Sequence, residues 1–177
     1  GVPNKLSSEK REAHIIKWLD QVKHDAAEIY LLGDLFDFWF EYSSVVPKGY
    51  IRFLGKLAEL RDSGILIYAF IGNHDMWMFG YLTDELGIPV YNEPIEKEWN
   101  GKKFLIGHGD GLGPGDHGYK FIKKVFRNPI CIFLFKWIHP DLGIKLAEYF
   151  SGTSRKANLE ADGVFLGEEK EWLILFA

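Results

Sequence analysis

Three short segments of the sequence place metal-ligating residue types directly after an apolar run and a glycine. The residues after the glycines combine carboxylate, amide and imidazole groups. The segments are Gly33-Asp34, with Asp37 three residues further on, Gly72-Asn73-His74-Asp75 and Gly107-His108-Gly109-Asp110. Glycine at such a point lets the backbone turn sharply and approach a bound group closely. Oxygen and imidazole ligands without thiolate suit Mn²⁺, Fe²⁺ or Zn²⁺.

The chemistry that such residues support is metal-assisted hydrolysis of a phosphoester or phosphoanhydride. An aspartate can bridge two cations ~3.5–4 Å apart, and the pair clamps the attacking and leaving oxygens of an in-line displacement. A single Gly-Asp after a strand is most often an ordinary turn, as an isolated Asn-His-Asp is. Because there are three such segments, and because ligands bind outside the carboxyl ends of strands in an open α/β sheet, we expect them to converge on one site.

The elements that must position these segments alternate between helix and strand. Apolar spacing predicts a first helix capped by Ser8 and a second helix between Pro47 and Gly64. Continuous apolar runs predict buried strands, and Asn100-Gly101 predicts a hairpin turn. The predicted strands are Ile29–Leu32, Ile65–Ile71, Ile88–Tyr91, Pro94–Trp99 and Lys102–Ile106, and a short helix is predicted at Tyr81–Leu86.

From residue 119 to residue 150 the pattern changes to helices alone, with breaks at Asn128-Pro129 and His139-Pro140. The sequence therefore predicts an α/β fold with a helical insertion or cap. Within the insertion an apolar face stands beside cations, which suits an interfacial helix on anionic lipid head groups. The alternative is a helical hairpin packed on the body of the protein. The two interpretations are compatible if the hairpin covers a groove that binds acyl chains.

Length, composition and charge limit the class of protein. A chain of 177 residues suits one α/β domain. Hydrophobic residues make up 47% and charged residues 26%, which is a globular composition. The net charge of −4 argues against a broad nucleic-acid-binding face. The single cysteine, Cys131, excludes a disulfide framework and a Cys-based zinc site.

The aromatic content is unusual at 16%, and the aromatic residues concentrate near the motifs and in the insertion. Near the motifs, core packing is the alternative to a substrate surface. In the insertion, the neighbouring cations favour a lipid-bearing substrate. The first residues carry no signal-peptide pattern, and no run reaches the ~18 apolar residues of a membrane span. We therefore expect a cytoplasmic protein that could touch a membrane surface.

At these motifs the sequence resembles the calcineurin-like metallophosphoesterases. That family carries, in order, D-x-H, G-D-x-x-D, G-N-H-D/E, G-H and G-H-x-H, and the chain matches the middle three. Within the superfamily it looks like the UDP-2,3-diacylglucosamine pyrophosphatase (hydrolase) family of lipid A synthesis, in its Bacteroidetes form. The closer match lies in Gly33–Tyr42, Gly72–Phe79 and Gly107–Tyr119. The implied fold has metallophosphoesterase-like sheet layers flanked by helices.

The resemblance implies roles for individual residues. Asp34 would bridge two divalent cations, with Mn²⁺ favoured and Zn²⁺ or Fe²⁺ as alternatives, and Asn73 and His108 would bind the second cation. His74 would stabilise the transition state or the leaving oxygen, and Asp75 would orient His74. The substrate contacts implied by position are Asp116, Tyr119, Arg155 and Lys156.

The sequence departs from the family pattern in two respects. Many members of this hydrolase group carry Arg at the position of His74, and neither D-x-H nor G-H-x-H occurs in these residues. We therefore expect an internal piece of a longer enzyme with an incomplete dinuclear site. The expected parts are an α/β core at 1–118 that lacks its first strand, the helical insertion at 119–160 and a return helix at 161–177.

The resulting hypothesis is metal-dependent hydrolysis of the pyrophosphate bond of UDP-2,3-diacylglucosamine, giving 2,3-diacylglucosamine 1-phosphate and UMP. The implied partners are this nucleotide-activated glycolipid and membrane lipid on the cytoplasmic face of the inner membrane, with no nucleic acid and no obligate protein partner. Two alternatives stay open. One is a phosphoesterase for another nucleotide or a phosphoprotein, and the other is a non-catalytic lipid-binding module with a decayed site.

Overall fold

The computed structural model of the chain describes residues 7–110 and 117–147. Within them, helices and strands alternate and then give way to helices alone. The helices are α1 (Ser8–Val22), α2 (Ile51–Asp62), α3 (Tyr81–Leu86), α4 (His117–Phe126) and α5 (Pro129–Lys136). The strands are β1 (Glu28–Leu31), β2 (Leu66–Phe70), β3 (Val90–Tyr91), β4 (Ile95–Trp99) and β5 (Lys102–Ile106). The predicted α/β fold with a helical segment after it is confirmed.

The first three strands form a parallel sheet in the order β1-β2-β3. The register of β1 on β2 runs from Glu28 opposite Leu66 to Leu31 opposite Ala69. Two adjacent parallel strands end at the same edge of a sheet. The loops that begin at Leu32 and Ile71 therefore leave the sheet side by side.

The two faces of this sheet are covered differently. On one face, Ile29, Leu31, Ile67 and Ala69 are buried in a core shared with α1 and α2. On the other face lies a row of tyrosines, in which the rings of Tyr30 and Tyr68 stack at 4.9 Å. The antiparallel hairpin β4–β5 covers that row, with Trp99 edge-on to Tyr30 at 5.7 Å and Lys97 over the ring of Tyr68.

The strands predicted at 29–32, 65–71 and 94–99 differ from β1, β2 and β4 by one residue at one or both ends, and two other predicted boundaries are wrong for an identifiable reason. Ser8 is the first residue of α1, and the cap is Ser7, whose extended backbone brings its Oγ to the amide of Lys10. The third strand is shorter than predicted. The amide of Ile88 donates to the carbonyl oxygen of Leu82 in the first turn of α3, and Pro89 has no amide hydrogen to offer a ladder.

The helical insertion is packed on the body and also exposes apolar residues. The predicted break before α5 is confirmed, because Asn128 caps that helix by accepting from the amide of Ile130 at 2.8 Å. A further helical segment covers 140–147. The residues that pack against the core are Phe126, Ile132, Phe135, Ile144 and Ala147. Exposed residues include Phe121, Ile122, Ile130, Phe133, Leu134 and Trp137.

Most aromatic residues near the motifs belong to the core. Phe36, Phe38, Trp39, Phe40 and Trp77 are buried. Core packing, one of the two interpretations of this aromatic group, is therefore confirmed for these five. Phe79 is exposed, with 48% of its surface accessible.

Candidate metal centre

The loops after β1 and β2 approach each other so closely that only glycine fits between them. Gly33 has φ of 86° and Asp34 has φ of 52°, both in the left-handed region. A Cβ added to Gly33 would lie 2.7 Å from Nδ1 of His108 and 2.8 Å from the amide nitrogen of Gly72. A Cβ added to Gly72 would collide with the carboxylate and the amide of Asp34. The two glycines thus allow Asp34 to stand against the neighbouring loop.

Three side chains from the three predicted segments lie together at this point. Nε2 of His108 is 3.3 Å from Oδ1 of Asn73 and 3.6 Å from Oδ2 of Asp34. The three segments lie together as expected, although the third reaches this point from outside the parallel sheet. His108 follows β5, which pairs with β4 in a separate antiparallel sheet. The hairpin packs across the tyrosine face, and the end of β5 brings His108 to the edge where β1 and β2 end.

The ring of His108 has a defined orientation. Its Nδ1 lies 2.7 Å from the carbonyl oxygen of Leu32. Because a carbonyl oxygen can only accept, Nδ1 carries the hydrogen, and Nε2 faces the side-chain oxygens of Asp34 and Asn73. A backbone carbonyl bound to one ring nitrogen is the usual support of a metal-ligating histidine.

The donor set fits a divalent cation. A carboxylate oxygen, an amide oxygen and an imidazole nitrogen suit Mn²⁺, Fe²⁺ or Zn²⁺. The side chain of Asp34 is 35% exposed, which leaves it open to a second ligand or to water. No group of three or more His, Cys, Asp and Glu side chains in the described part of the chain is arranged to hold a metal ion. The set therefore depends on the amide of Asn73 as its third member.

Asp75 is a buried carboxylate between the two loops. It accepts hydrogen bonds from the amides of Gly72 at 2.7 Å, Leu35 at 2.7 Å and Asp34 at 3.3 Å. Burial raises the pKa of Asp75, and the amide donors from Gly72 and Leu35 oppose that shift. These contacts tie the loop after β1 to the loop after β2. The predicted task of orienting His74 stays a prediction.

The backbone of His74 is held on both sides. Its amide donates to Oδ1 of Asp34 at 3.0 Å, and its carbonyl oxygen accepts from the amide of Trp39 at 3.3 Å. Its side chain is half-buried. The backbone of His74 therefore has a fixed position beside Asp34, and its imidazole extends from that position.

Glu41 adds further hydrogen bonds between the loop after β1 and the loop after β2, beyond the proposed metal ligands. The sequence motifs did not predict this role. Its carboxylate is buried and accepts from the indole Nε1 of Trp39 at 3.0 Å and from the amides of Phe79 at 2.6 Å and Tyr81 at 3.1 Å. The one available signal was a carboxylate inside a run of aromatic residues. Such a residue is rarely buried unless its oxygens are satisfied.

The helical insertion is attached to the loops around the site at several points. Lys123 of α4 pairs with Asp110, two residues after His108, at 2.6 Å. Arg127 pairs with Glu93 at 3.5 Å. A cleft beside His108 lies between these contacts; its lining includes Tyr91, Asn92, Pro94, Gly109, Asp110 and Lys123.

Of the four predicted substrate contacts, one lies in a described element. Tyr119 lies in the first half of α4. Asp116, Arg155 and Lys156, and the return helix predicted at 161–177, lie outside the described residues.

The fold and the convergence of these loops define an α/β protein of the metallophosphoesterase class. UDP-2,3-diacylglucosamine hydrolase of Porphyromonas gingivalis is 41% identical over 177 residues, which cover 94% of this chain and 68% of the relative. The chain therefore belongs to the UDP-2,3-diacylglucosamine hydrolase family. Proteins of that name from Yersinia pseudotuberculosis and Yersinia pestis are 32% identical over 133 residues, and the match spans about half of their length, 55%. No family model matches the chain.

Proposed function

We propose that the protein carrying this chain hydrolyses the pyrophosphate bond of UDP-2,3-diacylglucosamine. Water is added across the P–O–P bond, so that one phosphate leaves in UMP and the other stays in 2,3-diacylglucosamine 1-phosphate. The observation that carries the proposal is the meeting of Asp34, Asn73 and His108 in a member of this hydrolase family.

In the proposed site, Asp34, Asn73 and His108 would hold divalent cations, with Mn²⁺ as the favoured ion. When bound, a pair of such cations polarises phosphoryl oxygens and lowers the pKa of a bound water. The chain itself contributes orientation. Leu32 fixes the ring of His108, and Asp75 fixes both loops through their amides.

We assign His74 to the phosphate that is cleaved. Its backbone is held by Asp34 and Trp39, so its imidazole starts from a fixed position one residue after a proposed metal ligand. An imidazole placed there can stabilise developing negative charge on an oxygen or protonate the leaving group. Asp116, Tyr119, Arg155 and Lys156 remain the proposed contacts to the substrate head group and phosphate.

The proposed lipid contact uses the outer surface of the insertion. No helix in the described part of the chain has the length and hydropathy that a membrane span requires. The exposed apolar residues of α4 and α5 lie beside exposed Lys124 and Lys136. Such a face suits acyl chains together with anionic head groups, and we propose peripheral contact with a membrane surface.

The test is turnover of acylated and deacylated UDP-glucosamine by the full-length protein with Mn²⁺. We expect a clear preference for the acylated substrate, and equal rates on both would refute the lipid assignment. Asp34→Ala should abolish both turnover and bound metal. Retained turnover in that variant would refute the role of Asp34.

A second candidate is a phosphoesterase with another nucleotide or a phosphoprotein as substrate. The observation that favours it is His74, because imidazole is the general choice of metallophosphoesterases where many members of this hydrolase group carry Arg. Release of phosphate from simple nucleotides at rates above those on the acylated substrate would support this candidate over the first.

A further inference from the structure

The side chain of Trp77 connects the helical insertion to the loop after β2. Its indole is buried and donates from Nε1 to the carbonyl oxygen of Phe126, the last residue of α4, at 2.9 Å. Its ring stacks on Phe135 of α5, with centroids 5.8 Å apart and planes 9° from parallel. One side chain therefore contacts both helices, one through a directed hydrogen bond and the other through a stacked ring.

The backbone of Trp77 lies in the loop after β2, outside the proposed ligand set. It lies three residues after His74 in the same loop. Its carbonyl oxygen accepts from the amide of Glu41 at 3.3 Å, and it forms an isolated parallel bridge with Phe40. The path from the insertion to His74 is thus the side chain of Trp77 and a short loop segment that is hydrogen-bonded at His74, Asp75 and Trp77.

The two helices that Trp77 contacts carry the proposed lipid surface on their other side. Phe126 and Phe135 face the core, whereas Phe133 and Trp137 are exposed and lie with ring centroids 6.3 Å apart. A ligand that binds the outer surface of α5 can shift or stabilise this helix. Because the inner surface of α5 packs against Trp77, such an effect would reach Trp77.

We infer that Trp77 is a positioning residue that couples acyl-chain binding on the insertion to the placement of the Asn73–Asp75 loop. The inference rests on the proposed function. Binding energy from a remote part of a substrate accelerates a reaction only where it improves the fit at the reacting centre. The side chain of Trp77 connects the insertion to the loop that bears His74.

The test compares Trp77→Phe with the wild type in the full-length protein loaded with Mn²⁺. Phenylalanine keeps a ring to stack on Phe135 and removes the N–H donor to Phe126. Loss of one such hydrogen bond corresponds to about a fivefold effect. We expect kcat on the acylated substrate to fall about fivefold, with KM unchanged because the chains still bind the insertion. Turnover of deacylated UDP-glucosamine, which does not engage the insertion, should stay the same.

Two further variants keep the test decisive. Trp99→Phe is the matched control and should leave both rates unchanged. Trp99 lies in the hairpin, where it packs against Phe104 of β5 and against Tyr30 of β1. Phe135→Leu removes the other side of the stack and should reproduce the selective loss, and the double variant should be no worse than the stronger single variant. If Trp77→Phe does not fold, Phe135→Leu decides.

The outcomes separate the inference from the proposed function. Equal loss on both substrates, or a loss that follows bound metal or the unfolding temperature, would make Trp77 an ordinary core residue and overturn the inference. An unchanged ratio of the two rates would overturn it as well. A wild type without preference for the acylated substrate would refute the proposed function first, and the inference with it.

Discussion

Nδ1 of His108 lies 2.7 Å from the carbonyl oxygen of Leu32, a residue 76 positions earlier in the chain. This hydrogen bond joins the end of β5 to the end of β1 and turns Nε2 toward Asp34 and Asn73. The ligand geometry therefore depends on a contact between two sheets, which neither loop could supply alone.

Replacing His108 should remove the metal rather than unfold the protein. His108→Ala in the full-length protein is expected to weaken Mn²⁺ binding by at least about 10–100-fold, since one of three proposed ligands is lost. Titration calorimetry of the metal-free protein with MnCl₂ measures it. His14→Ala, at an exposed position of α1, is the matched control. Unchanged affinity in His108→Ala would contradict the assigned role.

Adding a methyl group at Gly72 should separate the two loops. In Gly72→Ala the new Cβ meets the carboxylate and amide of Asp34, so we expect a loss of about 1–3 kcal/mol in the free energy of unfolding. Gly55→Ala in α2 is the control, because nothing lies within 4 Å of its Cβ. That variant should gain about 0.5–1 kcal/mol. Urea unfolding measures the free energy of unfolding of both variants. Equal changes in the two variants would contradict the close contact between Gly72 and Asp34.

Neutralising Asp75 should change how stability depends on pH. Burial raises the pKa of Asp75 above its ordinary value of 3.8, so the folded state holds this proton more tightly than the unfolded state. Its contribution to stability is fully present below the unfolded pKa and is lost as pH rises through the folded pKa. Asp75→Asn does not titrate there and lacks this slope.

At neutral pH, Asp75→Asn should be less stable than the wild type by about 1–3 kcal/mol, because an NH₂ group would face amide donors. The measurement is the difference between the two urea-unfolding curves from about pH 4 to 8. Groups common to both proteins cancel in that difference. A difference that does not vary with pH would contradict the shifted pKa.

Removing an exposed aromatic side chain from the outer face of the insertion should weaken lipid binding. Trp137 is 79% exposed, and Trp137→Ser removes its contact with acyl chains. We expect about tenfold weaker binding to phosphatidylglycerol vesicles in co-sedimentation. The control is Trp18→Ser in α1, which is also exposed and lies outside the insertion. Equal losses in both variants would indicate non-specific binding.

Much of the local structure was predictable from the sequence. The α3 helix, the Asn100-Gly101 hairpin and the Asn128-Pro129 start of α5 were found as expected, because each depends on contacts between residues a few positions apart. The misplaced cap at Ser8 and the shortened β3 depend on single hydrogen bonds at element ends. Periodicity does not resolve such details.

The sequence by itself determined the chemistry of the site, since residue type decides that carboxylate, amide and imidazole are available and glycine decides where the chain can turn. It also determined family membership, which follows from identity along the chain. Only the tertiary structure decided that His108 arrives from the antiparallel hairpin, that Asp75 ties two loops 40 residues apart, and that Trp77 connects the insertion to the site. The physical reason is range. Motif spacing reflects local backbone geometry, whereas these contacts form only when the core has packed.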